Sequence, residues 1–235
     1  MTTSEITTVT RSIGKRPSPN CIELPNRGGV VVWIVSDQTV DGSETGTSFK
    51  QALWAKECGF NLHDTMIWKK VSPFQHKNRY IASFEYMFVF SKGIPKTANI
   101  IADRINIHGG EKITSTQREK DGSTRLCASA KKGKSVKEFG ARLNVWEVIP
   151  DFANANWHPA TFPYKLACDH IISWSNEGDT VLDPFLGSGT TRIAAYDLNR
   201  QFIGFEISEE YFRLQEERFN RHAAQMNLFL EGDNT

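Results

Sequence analysis

The sequence predicts an α/β fold: an open, largely parallel sheet with helices on its faces and one long basic insertion. Three stretches predict it. Residues 30–35, Val-Val-Val-Trp-Ile-Val, are apolar and β-branched without alternation, as in a strand buried on both faces. Residues 84–90 carry Phe84, Tyr86, Phe88 and Phe90 at every second position, the period of a strand. Residues 180–205 read as strand, Gly-rich turn, helix and strand.

Taken in order, residues 1–27 are rich in Thr, Pro and Gly, lack periodicity and are expected to be irregular, with a strand fragment at 21–24. Residues 47–58 read as a helix capped by Thr47 or Ser48, with Phe49, Leu53, Trp54 and Cys58 inward and Gly59 as its stop. A strand follows over 61–68, then the polar loop 72–79 and a strand over 80–91.

Residues 92–142 differ in kind. They hold twelve Lys or Arg against five acids, an excess of seven in a chain of net charge +1. Apolar residues are sparse there, and a stretch this long without periodicity points to function or disorder. Domain organisation is therefore expected as an irregular start (1–27), a first sheet part (28–92), a basic insertion (93–142), a second sheet part (143–225) and a tail (226–235).

Residues 143–148 form a strand out of the insertion, and a helix precedes Trp174 with Leu166, Ile171 and Ile172 as its apolar positions. Thr180-Val181-Leu182 is then a buried strand ending on Asp183. Gly187 and Gly189 in the turn carry no side chain, so a ligand can approach the backbone. The helix over 190–198 offers free N–H groups and a positive dipole end to a carboxylate or phosphate. Glu206, at the tip of the next strand and 23 residues beyond Asp183, suits ribose hydroxyls. A nicotinamide or flavin site wants a third glycine where Arg192 stands, which counts against it. Ser208 caps a last amphipathic helix with Glu209 and Glu210 in its first turn, and Tyr211, Phe212, Leu214 and Phe219 are its candidates for burial.

Composition excludes several classes. The four cysteines are scattered with no Cys-x-x-Cys, which suits a reducing cytoplasm and argues against a zinc site or disulfide framework. No apolar run reaches the length of a membrane span, and residues 1–27 have no secretory apolar core.

Asp183-Pro184-Phe185-Leu186-Gly187-Ser188-Gly189-Thr190-Thr191 resembles the S-adenosylmethionine (SAM) loop of DNA amino-methyltransferases, which make N6-methyladenine or N4-methylcytosine. Phe162-Pro163-Tyr164-Lys165-Leu166, led by His158-Pro159-Ala160, resembles the segment before that loop in the permuted β group of the family. The resemblance runs from about residue 28 to about residue 219. It implies a Rossmann-like SAM-dependent methyltransferase sheet. It implies cofactor contacts from Asp183, Pro184, Phe185, Gly187, Ser188, Gly189, Thr190, Thr191 and Glu206, from Phe162, Pro163, Lys165 and Leu166, and from Ser36 and Asp37 at the end of the 30–35 strand. Asp37 has a plain alternative as a helix or turn cap. The resemblance also sets Asn78, Arg79, Tyr80, Glu85 and Tyr86 beside a flipped base, and makes the insertion the target-recognition region, with Lys131, Lys132 and Lys134 against DNA phosphates. A core stripe is the plain alternative for the aromatics, and a solvated loop for the insertion. The expected partner is double-stranded DNA, with RNA or a small molecule as rival substrates, and restriction-modification is the implied setting.

One family feature is missing. Amino-methyltransferases carry Asp, Asn or Ser followed by Pro-Pro and Tyr or Phe. The first side chain and a prolyl carbonyl accept from the base amine, and the ring stacks on the flipped base. Ser72-Pro73-Phe74 and Ser18-Pro19-Asn20 each have a single proline and do not fit, so no catalytic residue is assigned. The expectation is a sheet lacking one central strand, the neighbour of 30–35 and 180–183. A truncated product is expected to follow from a misassigned start, a frameshift or a decayed gene. The rival to an active enzyme is a SAM- and DNA-binding remnant or split subunit, with a chain carrying the catalytic half, or a second copy, as partner.

Overall fold

The computed structural model describes residues 6–12, 27–70, 77–149, 161 and 163–232, with the backbone alone for 6–12 and 226–232. In chain order the elements are β1 (Ile6–Ser12), β2 (Val30–Val35), a small hairpin of β3 (Thr39–Val40) and β4 (Ser43–Glu44), α1 (Thr47–Glu57), β5 (Asn61–Lys69) and β6 (Phe84–Ser91). Next come β7 (Arg104–Ile105), β8 (Thr116–Arg118), β9 (Thr124–Leu126), α2 (Ala128–Lys131) and β10 (Phe139–Gly140). The chain continues with β11 (Val145–Glu147), α3 (Tyr164–Trp174), β12 (Thr180–Asp183), α4 (Thr190–Asp197), β13 (Gln201–Gly204) and α5 (Glu209–Gly232). Two units emerge: 1–99 with 144–235, and 100–143.

The first unit is a seven-stranded mixed sheet in the order β11-β5-β6-β2-β1-β12-β13. Strand β6 runs antiparallel to β2 and β5, and the remaining pairs are parallel. The expected vacancy in the middle of the sheet is not there. Strand β1 fills it, pairing with β12 on one side (Thr7 with Val181) and with β2 on the other (Thr7 with Val30). The Thr-rich run Ile6-Thr7-Thr8-Val9-Thr10 has little hydrophobicity but much β-branching, and branching favours a strand. Residues 1–27 are thus not irregular throughout. The strand fragment expected at 21–24 lies outside the described residues.

Both faces of β2 are buried, as its composition demands. Val30, Val32 and Ile34 join Leu166, Ile171, Val181 and Ala194 in one core cluster. Trp33 and Val35 join Ala52, Ala55, Phe60 and Phe88 in the other. Each fully buried Val or Ile contributes roughly 1.5–3 kcal/mol. The inward face of α1 differs from expectation. Ser48, Gln51, Ala52 and Ala55 are buried, while Phe49 and Leu53 are more than half exposed. Small side chains let α1 lie close on the sheet, and Phe49 meets the edge of Tyr86 instead, at 5.4 Å. Helix α5 runs on to Gly232, into the stretch expected as a tail from 226.

The second unit is held by backbone pairing more than by a core. Strand β7 pairs antiparallel with β10, and β8 with β9. Arg142 clamps Asp103 through Nε at 3.1 Å, and Ile105 and Ile107 are exposed.

Candidate functional site

The loop between β12 and α4 is tied by its own side chains. Buried Asp183 accepts the Phe185 N–H on Oδ1 at 3.0 Å and the Thr191 hydroxyl on Oδ2 at 2.7 Å. The carboxylate therefore bridges the end of the strand to the first turn of the helix. Ser188, Thr190 and Thr191 are buried too, and Ser188 and Thr190 share a hydroxyl hydrogen bond of 3.1 Å. Pro184 is partly buried in the turn.

Gly189 is the N-cap of α4 in left-handed conformation, φ 77°. A Cβ there would lie 3.2 Å from both Cβ and Oε1 of Gln215. The side of Gly189 on which a Cβ would sit thus faces Gln215 of α5.

Phe185 is 47% exposed, and its ring meets Trp33 edge-on at 6.0 Å. Trp33 is fixed by its Nε1–H donating to Gln51 Oε1 at 2.8 Å. At the tip of β13, Glu206 accepts the Gly187 N–H on Oε2 at 2.8 Å and the Ser208 N–H on Oε1 at 2.9 Å. A carboxylate offers about four acceptor sites, so capacity for further donors remains.

At the end of β2, Ser36 is exposed, while Asp37 caps α1. Its Oδ1 accepts the Ser48 N–H at 3.1 Å and the Thr45 hydroxyl at 3.1 Å, and its Oδ2 accepts the Ser48 hydroxyl. Partial burial pushes this carboxyl up, but the hydrogen bonds from Ser48, Thr45 and Thr47 outweigh it and hold the group below its ordinary value. The capping alternative holds for Asp37.

Upstream of the loop, Pro163 is the N-cap of α3, and Leu166 is wholly buried in the core. Lys165 pairs with Asp169 one turn on, at 3.0 Å. Phe162 and His158-Pro159-Ala160 lie outside the described residues, as do Ser72-Pro73-Phe74 and Ser18-Pro19-Asn20. Asn78, Arg79 and Tyr80 are all exposed, Tyr80 completely. Arg79 turns to Gly42 O and lies 3.6 Å from Glu44. Tyr86 stacks on Phe88 at 5.3 Å within the core stripe, and Glu85 is buried against Lys70. In the second unit Lys131, Lys132 and Lys134 are exposed.

Helix α5 supplies residues that sequence reasoning missed. Arg218 Nη1 donates to Ser188 O at 2.7 Å and Thr190 Oγ1 at 3.1 Å. Arg192 donates to Gln215 Oε1 at 3.0 Å, pairs with Glu216 and lies 3.9 Å over the Phe219 ring. The Arg192 hydrogen bond pulls the Glu216 carboxyl below its ordinary value. No local pattern marks Gln215 and Arg218, whose role follows only from α5 packing against the loop. A cavity of about 370 Å³ lies among Leu186, Arg192, Phe202, Phe212 and Phe219. Another, of about 520 Å³, lies among Tyr164, Ile193, Asp197, Arg218 and His222. Neither is lined by Phe185 or Glu206. No group of three metal-ligating side chains exists among the described residues.

A family model described as DNA methylase matches residues 16–217. The chain belongs to the DNA methylase family. Similar proteins include the orphan methyltransferase M.BamHII of Bacillus amyloliquefaciens, 52% identical over 85% of this methylase and 77% of that protein. The Type II methyltransferase M.XycI of Xanthomonas campestris pv. cyanopsidis is 30% identical over 74% of this chain and 49% of its own. The methylase thus spans about half the length of several curated relatives. Solved structures share the fold. The PvuII DNA methyltransferase, titled cytosine-N4-specific, superposes with TM-score 0.65 at 20% identity over 92% of this chain and 79% of that one. The M1.HpyAVI–SAM complex gives TM-score 0.61 at 22% identity over 92% and 89%. The expected family and α/β methyltransferase fold therefore stand, and SAM is the family's cofactor. Strand β1 lies ahead of the matched residues.

Proposed function

We propose that this methylase binds SAM at the carboxyl ends of β12 and β13, and that it serves methyl transfer to the exocyclic amine of adenine (N6) or cytosine (N4) in duplex DNA. The carrying observation is the juxtaposition around one Gly-rich loop. The half-exposed Phe185 ring is braced by Trp33, the Glu206 carboxylate holds the Gly187 N–H, and Gly189, two residues on, is the left-handed N-cap of α4.

These groups fit the cofactor's chemistry. An aromatic face suits an adenine ring, a carboxylate suits ribose hydroxyls, and a helix N-terminus suits an amino-acid carboxylate. When bound, SAM supplies an electrophilic methyl group on sulfonium. Asp183, Thr190 and Thr191 hold the loop in shape, and Ser36, Pro163 and Lys165 border the site in this reading. Lys131, Lys132 and Lys134 neutralise DNA phosphates, and Asn78, Arg79 and Tyr80 border the base. A reducing cytoplasm is the setting in this reading, which the scattered cysteines of the sequence suit; no helix among the described residues is long and apolar enough to cross a membrane.

A second reading draws on β1. It pairs with β12 through Ile6, Thr7 and Thr8 and ends at Ser12 beside Val35, and no Pro-Pro-aromatic run follows it in sequence. On this reading the chain binds SAM and DNA, and a partner chain supplies the acceptors for the base amine.

Calorimetric titration with SAM, alongside transfer of labelled methyl from SAM into duplex DNA, separates the readings. Binding with transfer supports the first. Binding without transfer supports the second, and no binding sinks both. Competition by RNA tests the choice of nucleic acid.

A further inference from the structure

We infer that Gln51 is a positioning residue for the adenine end of the cofactor, acting through Trp33 on the ring of Phe185. The inference rests on the SAM reading above.

The three side chains come from three elements. Gln51 is on α1, Trp33 is on β2, and Phe185 is in the loop between β12 and α4. The Phe185 ring is half-exposed, and an exposed loop side chain exchanges rotamers freely unless a neighbour holds it. Trp33 is such a neighbour, with ring centroids 6.0 Å apart and planes at 75°. Edge-to-face pairing is directional, because the positive edge of one ring seeks the negative face of the other. The plane of the Phe185 ring therefore follows the plane of Trp33.

The plane of Trp33 is set in turn by Gln51. Both residues are buried, and the indole Nε1–H donates to Gln51 Oε1 at 2.8 Å. The last torsion of a tryptophan side chain is intrinsically broad, so packing alone defines it loosely. A turned indole would carry its N–H away from Gln51 and leave it buried without that acceptor, which is costly. The hydrogen bond thus selects one ring orientation.

The surroundings make this more than packing. Trp33 shares its core cluster with Val35, Ala55, Phe60, Phe88 and Phe90, all apolar. Helix α1 buries Ser48, Gln51, Ala52 and Ala55, and of these Gln51 is the long polar side chain. Burying an amide is costly unless it is hydrogen-bonded, and an apolar pair would fill the same space without that demand. An apolar pair would not fix the direction of the ring at position 33. That direction matters at Phe185, whose exposed side is the adenine platform in the SAM reading.

The test is a double-mutant cycle on SAM affinity in the full chain, between Gln51→Leu and Phe185→Leu. Calorimetric titration reads the affinities, and denaturant unfolding of each variant accompanies them. Gln51→Leu is expected to weaken SAM about fivefold in the wild-type background and less than about 1.5-fold in the Phe185→Leu background, where no ring remains to be oriented. A merely structural role lowers affinity by the same factor in both backgrounds, so equal losses overturn the inference. SAM affinity unchanged by Gln51→Leu overturns it too, as does wild-type affinity in Phe185→Leu. Should Gln51→Leu fail to fold, Trp33→Phe removes the donor, keeps an aromatic ring and takes its place in the cycle, with the same expected and contrary results. Wild-type protein that binds no SAM overturns the SAM reading and this inference together, whereas wild-type binding with equal losses overturns this inference alone.

Discussion

The Thr191 hydroxyl donates to Asp183 Oδ2 across 2.7 Å, and this bond joins the end of β12 to the first turn of α4. Both groups are buried, so Thr191→Val removes a donor that no water replaces. Leaving the carboxylate short of this partner costs roughly 1–3 kcal/mol. Denaturant unfolding of the variant tests it: a lowered midpoint with unchanged m-value is expected, together with weaker SAM binding. An unshifted midpoint contradicts the bridging role.

Gly189 is predicted to resist substitution for two separable reasons. Its φ of 77° strains any L side chain, and a Cβ meets Gln215 at 3.2 Å. The left-handed backbone alone costs Gly189→Ala about 1–2 kcal/mol. Trimming Gln215 to Ala in the same chain relieves the contact and leaves the backbone cost. A double variant as stable as Gln215→Ala would refute the backbone part.

Asp37 predicts an acid limb in stability. Its folded carboxyl titrates below the ordinary 3.8, so its contribution is fully present above the unfolded pKa and is lost as pH falls through the folded one. Wild type is therefore more stable than Asp37→Asn at neutral pH, and the gap closes below about pH 4. Melting temperatures of the two proteins across that range provide the check. A gap that persisted undiminished in acid would mean that Asp37 does not act as a charged cap on Ser48.

The three exposed lysines predict a salt effect. If Lys131, Lys132 and Lys134 each neutralise a phosphate, replacing all three with Ala lowers the slope of log affinity against log salt by nearly three, at about 0.9 per phosphate. The loss is uniform across DNA sequences, because phosphate contacts carry no base information. Anisotropy titrations at several salt concentrations measure it, and an unchanged slope removes these lysines from the interface.

Much of this was legible in the sequence, and the exceptions share a cause. Strand β2 was readable because a sheet centre needs apolar residues on both faces, and the loop because Asp183, Gly187, Gly189 and Glu206 carry their chemistry in their spacing. Strand β1 was hidden because threonine is polar by composition yet β-branched by shape. The inward face of α1 was misread because Ser48, Ala52 and Ala55 are buried for their small size, while Phe49 and Leu53 lie outward. Hydrophobicity predicts burial poorly where close approach decides. Gln215 and Arg218 were missed because their role depends on α5 folding back against a loop some thirty residues earlier, a relation no local pattern encodes.

The most direct measurement is calorimetric titration of SAM into the wild-type chain and into Glu206→Ala. The wild type is expected to bind one SAM with saturation, and the variant to bind at least about tenfold more weakly, since it loses the acceptor for the ribose hydroxyls. Absence of wild-type binding, or equal affinity in the two proteins, contradicts a cofactor site at the ends of β12 and β13.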